Sequence, residues 1–452
     1  MTISNVPSGS QRSHKGTILY EAQSLFFRGG TGITTYTRSL VQAANRLAYD
    51  VHGIFSVERQ LSKGEDRLNE ILAFDAIAEN EWLSPLEFVW RNIRYPFNAL
   101  RGIQPIELSP SGLVVGPMAH ALRPFRRVFA ATRLVDASIG HFKIYGRLAH
   151  IRVPQAPSIF HATHPVPLAV KGCANVYTIH DLVPLRLPYS TLDNKRYFYR
   201  LLTSLARKAD HIVTVSEHSR RDIIEHLGID ESRVTNTYQA VEVAPDLLAC
   251  TNDMIAEELE KSFGLEFGKY FLFCGAIEPK KNVARLIDGY AASGSKLPLV
   301  LAGGGGWQNQ VELRKIRDER FLDFRVEGNA IRRHRQIRRV DYLPYDRLIK
   351  LIQGARALLF PSIYEGFGLP VIEAMAVGTP VMTSNVSSLP EIAGDAAILV
   401  DPYSVDSIAK GIRTLEADGD LRRALVELGR KQAAKYSATA YDERVRRLYN
   451  SF

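Results

Sequence analysis

The chain has 452 residues, of which 46% are hydrophobic and 23% are charged, and its formal net charge at pH 7 is +9. This composition is that of an ordinary globular protein, and the length favours two or three domains over one hydrophobic core. Because no stretch approaches about 18 uninterrupted apolar residues, the sequence predicts no membrane-spanning helix. The three cysteines, Cys173, Cys250 and Cys274, fit no metal-ligand pattern and favour a reducing cytoplasm.

Strand and helix signals alternate along the chain, which predicts an α/β protein with parallel sheets and crossover helices. Residues 1–15 are polar and predict a disordered lead-in, followed by a strand at Thr17–Ser24 and a helix at Ile33–Leu47. A Gly-Gly-Thr-Gly loop containing Gly30 and Gly32 lies between the strand and the helix. Such a loop lets the backbone approach a phosphate, although a plain turn is the alternative.

Residues 88–152 form a basic segment with interleaved aromatic side chains. They contain ten Lys and Arg residues against two Asp and Glu residues, and therefore eight of the nine net positive charges. A surface of this kind suits an anionic membrane, and a solvated helical insertion is the alternative. Nucleic acid is disfavoured as a partner, because no helix-turn-helix, RNP or zinc motif accompanies the charge.

The second half of the chain repeats the alternation of strands and helices. A strand at Ile212–Ser216 is followed by a helix at Glu217–Leu227, for which Ser216 is the predicted N-cap. Residues 239–266 carry a proline and no long apolar run, so they are the predicted linker between two halves. The second half then starts with a strand at Tyr270–Ile277.

The most informative stretch is residues 361–380, which follow the apolar run Ala355–Phe360. A glycine-containing turn leads into a helix predicted at Val371–Val377, so a helix N-terminus presents free backbone N–H groups to an anion. Glu365 and Glu373 flank this turn, where carboxylates are suited to accept hydrogen bonds from hydroxyl groups. The site is therefore predicted to bind a ligand with both phosphate and sugar.

The motif Glu365-Gly-Phe-Gly-Leu-Pro-Val-Ile-Glu373 resembles the signature of the retaining GT-B glycosyltransferases of family 4. Further segments match that family in the expected order, and together the resemblance covers about residues 17–60 and 158–452. These segments are 176–182 (Val-Tyr-Thr-Ile-His-Asp-Leu), 212–217 (Ile-Val-Thr-Val-Ser-Glu), 271–282 (Phe-Leu-Phe-Cys-Gly-Ala-Ile-Glu-Pro-Lys-Lys-Asn), 299–303 (Leu-Val-Leu-Ala-Gly) and 341–344 (Asp-Tyr-Leu-Pro).

The resemblance implies a GT-B fold, in which two doubly wound Rossmann-like domains face each other across a cleft. The N-terminal acceptor domain is expected at residues 16–250, with a basic insertion at about 61–157. The C-terminal nucleotide-sugar domain is expected at residues 251–437. A last helix at residues 438–452 is expected to cross back and pack on the N-terminal domain.

The resemblance also assigns roles to individual residues. Glu365, His180 and Lys281 are the expected catalytic residues: the lysine neutralises the diphosphate, and the glutamate lies at the transferred sugar. Glu373 is expected to bind the ribose. The full set of expected donor-binding residues is Gly30, Gly32, Lys280, Lys281, Gly303, Tyr342, Gly366, Phe367, Gly368, Leu369 and Glu373.

The sequence departs from the family where many members have an arginine soon after the glycine that corresponds to Gly275. Ala276, Ile277 and Glu278 occupy that place here, so one usual diphosphate contact is missing or comes from elsewhere. His161 and His164 have the spacing of a metal pair but lack a third ligand, so they are interpreted as structural or acceptor-side residues.

The sequence contains no Asp-x-Asp motif, which favours a metal-independent site without a cofactor. Two mechanisms are compatible with the residues. Glu365 could act as a nucleophile, as in retaining glycosidases. The family is instead thought to transfer the sugar on one face, with the departing phosphate taking the acceptor proton.

Together these observations predict a hexosyltransferase of cell-surface polysaccharide biosynthesis, with GDP-mannose as the first choice of donor and a UDP-hexose as the second. The expected acceptor is a glycan or a polyprenyl-diphosphate-linked oligosaccharide. The expected location is cytoplasmic and peripheral, on the inner face of the plasma membrane. The competing hypothesis is a non-catalytic, membrane-associated protein that binds a nucleotide sugar.

Overall fold

The computed structural model describes residues 15–26, 32–62, 64–74, 97, 99–109, 114, 117–306, 310–327 and 330–452. Gly30, all but the last residue of the predicted lead-in, and much of the predicted basic insertion lie outside these residues. The chain divides into two compact units. The first unit is Met1–Thr178, Arg207–Ile212 and Asp442–Phe452, and the second is Ile179–Ala206 and Val213–Tyr441. The predicted domain boundaries after residues 250 and 437 stay predictions.

The first ten strands belong to a large sheet and a small one. They are β1 (Thr17–Glu21), β2 (Asp50–Val57), β3 (Ile106–Leu108), β4 (Arg127–Thr132), β5 (Ala149–Ile151), β6 (Ile159–Ala162), β7 (Leu168–Val170), β8 (Ala174–Thr178), β9 (His211–Thr214) and β10 (Val234–Asn236). The large sheet has the order β10-β9-β8-β6-β1-β2-β4-β3, and β5 pairs with β7. The β1 strand pairs in parallel with β2 and β6, whereas β3 runs antiparallel to β4 at the edge.

The second sheet has six strands, and a separate antiparallel hairpin accompanies it. The strands are β11 (Phe271–Cys274), β12 (Leu299–Ala302), β13 (Leu322–Glu327), β14 (Ala330–Arg335), β15 (Ile337–Val340), β16 (Ala357–Phe360), β17 (Val381–Ser384) and β18 (Ile398–Val400). The sheet has the parallel order β15-β12-β11-β16-β17-β18, and β13 pairs with β14. Every residue of β11, β12, β16 and β17 is buried, as expected for strands covered on both faces.

Helices alternate with these strands, so the α/β prediction is confirmed. Among the described residues they are α1 (Gly32–Arg46), α2 (Asp66–Phe74), α3 (Pro117–Leu122), α4 (Leu134–Tyr145), α5 (Val183–Arg186), α6 (Lys195–Lys208), α7 (Glu217–Leu227), α8 (Pro245–Leu248), α9 (Asn252–Phe263), α10 (Val283–Ser293), α11 (Gln310–Ile316), α12 (Tyr345–Gln353), α13 (Leu369–Ala376), α14 (Leu389–Ala393), α15 (Val405–Ala417), α16 (Gly419–Ala434) and α17 (Ala438–Tyr449).

The structure confirms the predicted cap of α7 and shows two helices within the predicted linker. The Ser216 side chain accepts a hydrogen bond from the backbone N–H of Ser219, which satisfies a donor at the start of the helix. Helices α8 and α9 occupy much of residues 239–266, and the linker role of this segment stays a prediction. Ile255 and Leu259, one helical turn apart, bury the inner face of α9.

The last helix places its C-terminal half in the first unit, where the hydroxyl of Tyr449 anchors it. This hydroxyl lies 2.8 Å from the hydroxyl of Tyr20 and 2.7 Å from Nδ1 of His161. The other ring nitrogen of His161 lies 2.9 Å from Oγ1 of Thr178. Because His161 is fully buried and both its nitrogens are engaged, it has the structural role given to it from the sequence.

This network predicts the effect of removing one hydroxyl. Replacing Tyr449 by Phe leaves Tyr20 and His161 without a shared buried partner, so we expect the free energy of unfolding of the first unit to fall by about 2 kcal/mol. Urea unfolding followed by circular dichroism measures this change. Tyr199→Phe is the matched control, because that tyrosine is 52% exposed and water can replace its contacts. Equal unfolding midpoints for the two variants would contradict the anchoring role.

Candidate functional site

The loop that carries Glu365 connects the end of β16 to the start of α13. Gly368, the residue before α13, has a φ of 115°, and a Cβ atom there would come within 2.9 Å of the Leu389 side chain. Both constraints favour glycine at this position. Pro370 lies in the first turn of α13, where a missing N–H costs no intrahelical bond. The start of α13 is thereby shaped as a site for a bound anion.

Two serines hold the backbone of this loop from inside the second unit. The backbone N–H of Glu365 donates to Oγ of Ser387 at 3.0 Å, and that hydroxyl donates to the Glu365 carbonyl at 2.7 Å. Ser388 Oγ lies within donating distance of the carbonyls of Glu365 and Phe367, at 2.9 and 2.8 Å. The ring of Phe367 packs edge-on against Tyr436, so only its backbone is suited to contact a ligand.

Helix α7 braces the same loop from another direction. The hydroxyl of Tyr364 donates to the buried carboxylate of Asp222, and Ser219 Oγ lies 3.4 Å from the carbonyl of Gly366. A Cβ atom at Gly366 would come within 2.8 Å of the His180 carbonyl, so the loop passes this backbone without room for a side chain. Tyr364 directly precedes the motif, but no sequence pattern indicated Asp222, Ser387 or Ser388.

Backbone N–H groups at the N-terminus of α7 are already hydrogen-bonded to a carboxylate of the protein. The backbone N–H groups of Glu217 and His218 each donate to the Glu391 carboxylate at 3.2 Å. In α13, by contrast, the first turn contains no acidic residue. The N-terminus of α13 is therefore the better candidate of the two for an external phosphate.

Lys281 and Glu365 form a direct ion pair beside the loop. The ammonium Nζ donates to Oε1 of the carboxylate at 2.7 Å, and the two side chains are only 14% and 9% exposed. The same Nζ lies 5.0 Å from the ring centroid of Phe360, which adds a cation–π contact. The predicted diphosphate-binding lysine therefore has a carboxylate partner within the protein.

Lys280 extends this pair into a cluster of opposite charges. Its Nζ lies 3.7 Å from Oε1 of Glu278. Burial alone would lower the pKa of Lys280, but the charges of Glu365, Asp181 and Glu278 outweigh burial and raise it. Burial likewise opposes ionisation of Glu365, yet Lys281 and Lys280 hold the pKa of that carboxyl below its usual value. Glu365 and Lys280 are therefore charged at neutral pH.

Glu373 lies in a different electrostatic environment on α13. The helix begins two residues earlier than predicted, so Glu373 is its fifth residue and belongs to the second turn rather than the first. Burial raises the pKa of Glu373 to about 7, and a hydrogen bond with Tyr345 opposes this rise. The charge of this carboxyl therefore changes near neutral pH.

The remaining predicted residues lie at several places. His180 is the second residue of the second unit's first segment and is partly buried beside Gly366. Gly303 has a φ of 149°, and a Cβ atom there would lie 2.1 Å from the Gly275 carbonyl, so a close backbone approach requires glycine. Tyr342 is 66% exposed. Gly32 is the first residue of α1 in the first unit.

The structure thus brings one subset of the predicted residues together in the second unit. This subset is His180, Lys280, Lys281, Glu365, Gly366, Phe367, Gly368 and Leu369, with Glu373 further along α13. In the described part of the chain, one group of side chains could hold a metal ion, formed by Asp222, Glu225 and His226. It contains none of the predicted donor residues, and metal independence stays a prediction.

Comparison with solved structures identifies the fold. HepE from Anabaena, in complex with UDP and glucose, aligns with a TM-score of 0.64 at 13% identity, over 97% of this chain and all of the other. WaaG, a glycosyltransferase involved in lipopolysaccharide biosynthesis, aligns with a TM-score of 0.56 at 14% identity, over 95% of this chain and 98% of the other. The protein therefore has the GT-B fold, as predicted.

Family models and curated relatives agree with the structural result. The model "Glycosyl transferases group 1" matches residues 256–432, and the model "Glycosyltransferase Family 4" matches residues 111–245. The chain belongs to the GT-B glycosyltransferases of family 4. The second model extends the resemblance into residues 111–157, where the motifs had indicated none.

Several curated relatives are mannosyltransferases of O-antigen chains. O-antigen chain mannosyltransferase B of Escherichia coli is 35% identical over 58% of this chain and 66% of its own length. The mannosyltransferase WbdA of the same species is 31% identical, but the match spans only 31% of its length. A D-inositol 3-phosphate glycosyltransferase of Corynebacterium glutamicum is 26% identical over 54% of this chain and 58% of its own length.

The Lys281–Glu365 pair makes a prediction about stability. Lys281→Met leaves a buried carboxylate without its nearest cation, and Glu365→Gln leaves a cation without its carboxylate, so each single change should cost about 3 kcal/mol. The double variant should recover most of that loss, because neither charge is then left alone. Additive losses in the double variant would show that the two side chains are not coupled.

The pH dependence of this stability follows from the pKa of Glu365. Its folded-state value lies below the ordinary carboxyl value of 4.5. The pairing therefore contributes stability above the unfolded-state pKa, and the contribution disappears as pH falls through the lower folded-state value. Unfolding midpoints of wild type and Glu365→Gln should accordingly converge as pH falls below 4.5 and through the folded-state pKa of Glu365.

Proposed function

We propose that this protein is a retaining glycosyltransferase that moves a hexose from a nucleotide diphosphate sugar to a hydroxyl of a glycan or lipid-linked acceptor. The observation that carries the proposal is the Lys281–Glu365 pair beside the N-terminus of α13. The glycine loop combines the carboxylate of Glu365, suited to a sugar, with backbone N–H groups suited to a phosphate, and Lys281 lies beside it. The family membership and the O-antigen relatives support a role in polysaccharide assembly.

Donor binding would rearrange this pair. A diphosphate brings negative charge to Lys281 and Lys280, so it competes with Glu365 for their ammonium groups. Once the phosphate takes over the lysines, the Glu365 carboxylate can accept hydrogen bonds from the sugar and stabilise positive charge at its anomeric carbon. The backbone N–H groups of Phe367, Gly368 and Leu369 would hold the remaining donor oxygens. His180 would contact a hydroxyl of the transferred sugar.

Neutralisation of the leaving nucleotide is the main contribution we assign to the protein. Lys281 and the dipole of α13 stabilise the charge that develops on the departing diphosphate, without a metal ion or cofactor. That diphosphate takes the proton of the acceptor hydroxyl in the same-face mechanism. In the double-displacement alternative, Glu365 attacks the anomeric carbon and a glycosyl-enzyme intermediate forms.

GDP-mannose is our first choice of donor, because the O-antigen relatives are mannosyltransferases. A UDP-hexose is the second choice, since HepE was solved in complex with UDP-glucose. A non-catalytic nucleotide-sugar-binding protein is the competing hypothesis. The intact set of Glu365, Lys281 and Glu373 favours catalysis over it.

We also propose that the enzyme works on the cytoplasmic face of the membrane, on a polyprenyl-diphosphate-linked acceptor. The support is the basic and aromatic composition of residues 88–152. Arg126 within this segment is 63% exposed at its side chain, as a membrane-contacting cation requires. Within the described residues, no helix has the length and the apolar character needed to cross a bilayer.

A donor panel tests the proposed function. Wild type should release nucleotide from GDP-mannose, or from one UDP-hexose, in the presence of a mannoside acceptor and EDTA, and NMR of the product should show a retained anomeric configuration. Lys281→Ala should slow release by about a hundredfold, as loss of one electrostatic stabiliser does. Lys261→Ala is the control, because that lysine is 71% exposed. Donor binding without any turnover would favour the non-catalytic hypothesis.

The ribose role of Glu373 predicts a pH-dependent affinity. A carboxylate accepts hydrogen bonds from ribose hydroxyls better than a carboxylic acid does, and this group has a pKa of about 7. The affinity for free nucleoside diphosphate should therefore rise about tenfold from pH 6 to pH 8, following the ionised fraction. Calorimetry with GDP and with UDP measures it. Glu373→Gln should remove the dependence, and an unchanged pH profile in that variant would exclude the ribose role.

A further inference from the structure

The first unit has a position where a parallel sheet typically binds ligands. From β1 the chain continues to β2 and β4 on one side, and later to β6 and β8 on the other. The strand order therefore reverses between β1 and β6, and ligands bind at the carboxyl ends of strands at such switch points. In the register of this pair Glu21, the last residue of β1, lies opposite Ala162, the last residue of β6.

A buried carboxylate–imidazole pair occupies this position. Glu21 is fully buried, and its Oε1 accepts a hydrogen bond from the backbone N–H of Gln23 at 3.0 Å. Its Oε2 lies 3.1 Å from Nδ1 of His164, two residues beyond β6. The imidazole reaches closer to the surface, since the His164 side chain is 16% exposed whereas the Glu21 side chain is 0% exposed.

Hydroxyl groups fix the backbone around the pair. Ser24 Oγ lies 2.7 Å from Oγ1 of Thr37 and 3.2 Å from Oγ1 of Thr163. Thr163 also donates to the Glu21 carbonyl at 3.2 Å, and Thr34 donates to the Ser24 carbonyl at 2.8 Å. These bonds connect the ends of β1 and β6 to α1. This network therefore orders the backbone on both sides of the pair.

Burying two ionisable side chains is expensive, and well-packed apolar side chains at such a site are often at least as stable. A carboxylate–imidazole pair at a ligand-binding edge therefore calls for a role beyond packing. The carboxylate lies beside Nδ1 of the ring, and this contact fixes the orientation of the imidazole. A histidine beside a carboxylate supplies no surplus positive charge, which suits a neutral hydroxyl better than a phosphate or a carboxylate.

We propose that His164, oriented by Glu21, hydrogen-bonds a hydroxyl of the acceptor sugar at the carboxyl edge of the first sheet. This inference rests on the proposed transfer to a glycan and names a residue that recognises that substrate. His164 is the binding residue, and Glu21 is a positioning residue that acts through it. His161, three residues earlier, is excluded from this role by its two buried partners.

The protonation state of His164 predicts a pH dependence that tests this proposal. Burial alone would lower the pKa of this imidazole, but Glu21 outweighs burial and raises it, and Glu21 is the charged group that acts on it among the described residues. The imidazolium form donates from both nitrogens and persists below the raised pKa. Sugar affinity should therefore fall as pH rises through that value. Glu21→Gln should shift the midpoint of this fall to lower pH.

Calorimetric binding of methyl α-mannobioside to the full chain tests the inference without requiring turnover. His164→Ala should weaken glycoside binding about tenfold or more, the effect of losing one hydrogen bond to a charged group. His164→Gln, which keeps a donor, should retain part of the affinity and lose the pH dependence. GDP or UDP affinity should stay unchanged in both variants. His120→Ala is the matched control, because it removes an exposed histidine of the same unit.

The outcomes separate this inference from the proposed function. Equal glycoside affinity in wild type and His164→Ala, or no glycoside binding by wild type, overturns the inference. A pH midpoint that does not move in Glu21→Gln overturns the positioning role. Glycoside and nucleotide binding without any transfer would instead count against the proposed function alone. Circular dichroism of each variant confirms that the comparison is made on folded protein.

Discussion

The ion pair between Lys281 and Glu365 is the interaction on which the candidate donor site depends. It places a cation and a carboxylate 2.7 Å apart in a nearly buried setting, where neither charge is tolerable alone. Lys280 and Glu278 extend it, so the cluster keeps its charges near balance. A bound diphosphate and its sugar are suited to replace each partner with a ligand group. Under the proposed function, the two side chains would satisfy each other until a donor replaces each partner.

Such a pair is useful only if the loop that carries Glu365 is rigid. Rigidity comes from contacts on different sides of that loop, through Ser387 and Ser388 on one side and through Tyr364 and Asp222 on another. Glycines make this bracing possible, because Gly366 and Gly368 have no room for a Cβ atom. At these two positions the loop has no side chain, so its backbone can approach neighbouring atoms closely. This is expected where a helix N-terminus binds an anion.

His161 and His164 of the first unit show how burial distinguishes neighbouring residues of one type. His161 lies within β6, is fully buried and connects the last helix to the sheet through Tyr449. His164 lies beyond the strand end, next to a carboxylate, and is partly exposed. Only the second position is compatible with substrate recognition, because a ligand needs access as well as a polar group.

The sequence by itself determined the α/β class, because this follows from local periodicity. Contiguous motifs indicated the glycine loop before α13 and made Lys281, Glu365 and Glu373 the predicted site residues. It did not predict the helices within residues 239–266, because their short buried face can be recognised only once the residues that cover it are known. Nor did it indicate Asp222, Ser387 or Glu21, because a single polar residue carries no local pattern. Tertiary structure decided these roles, since contacts between residues far apart in the chain determine which charges are buried and paired.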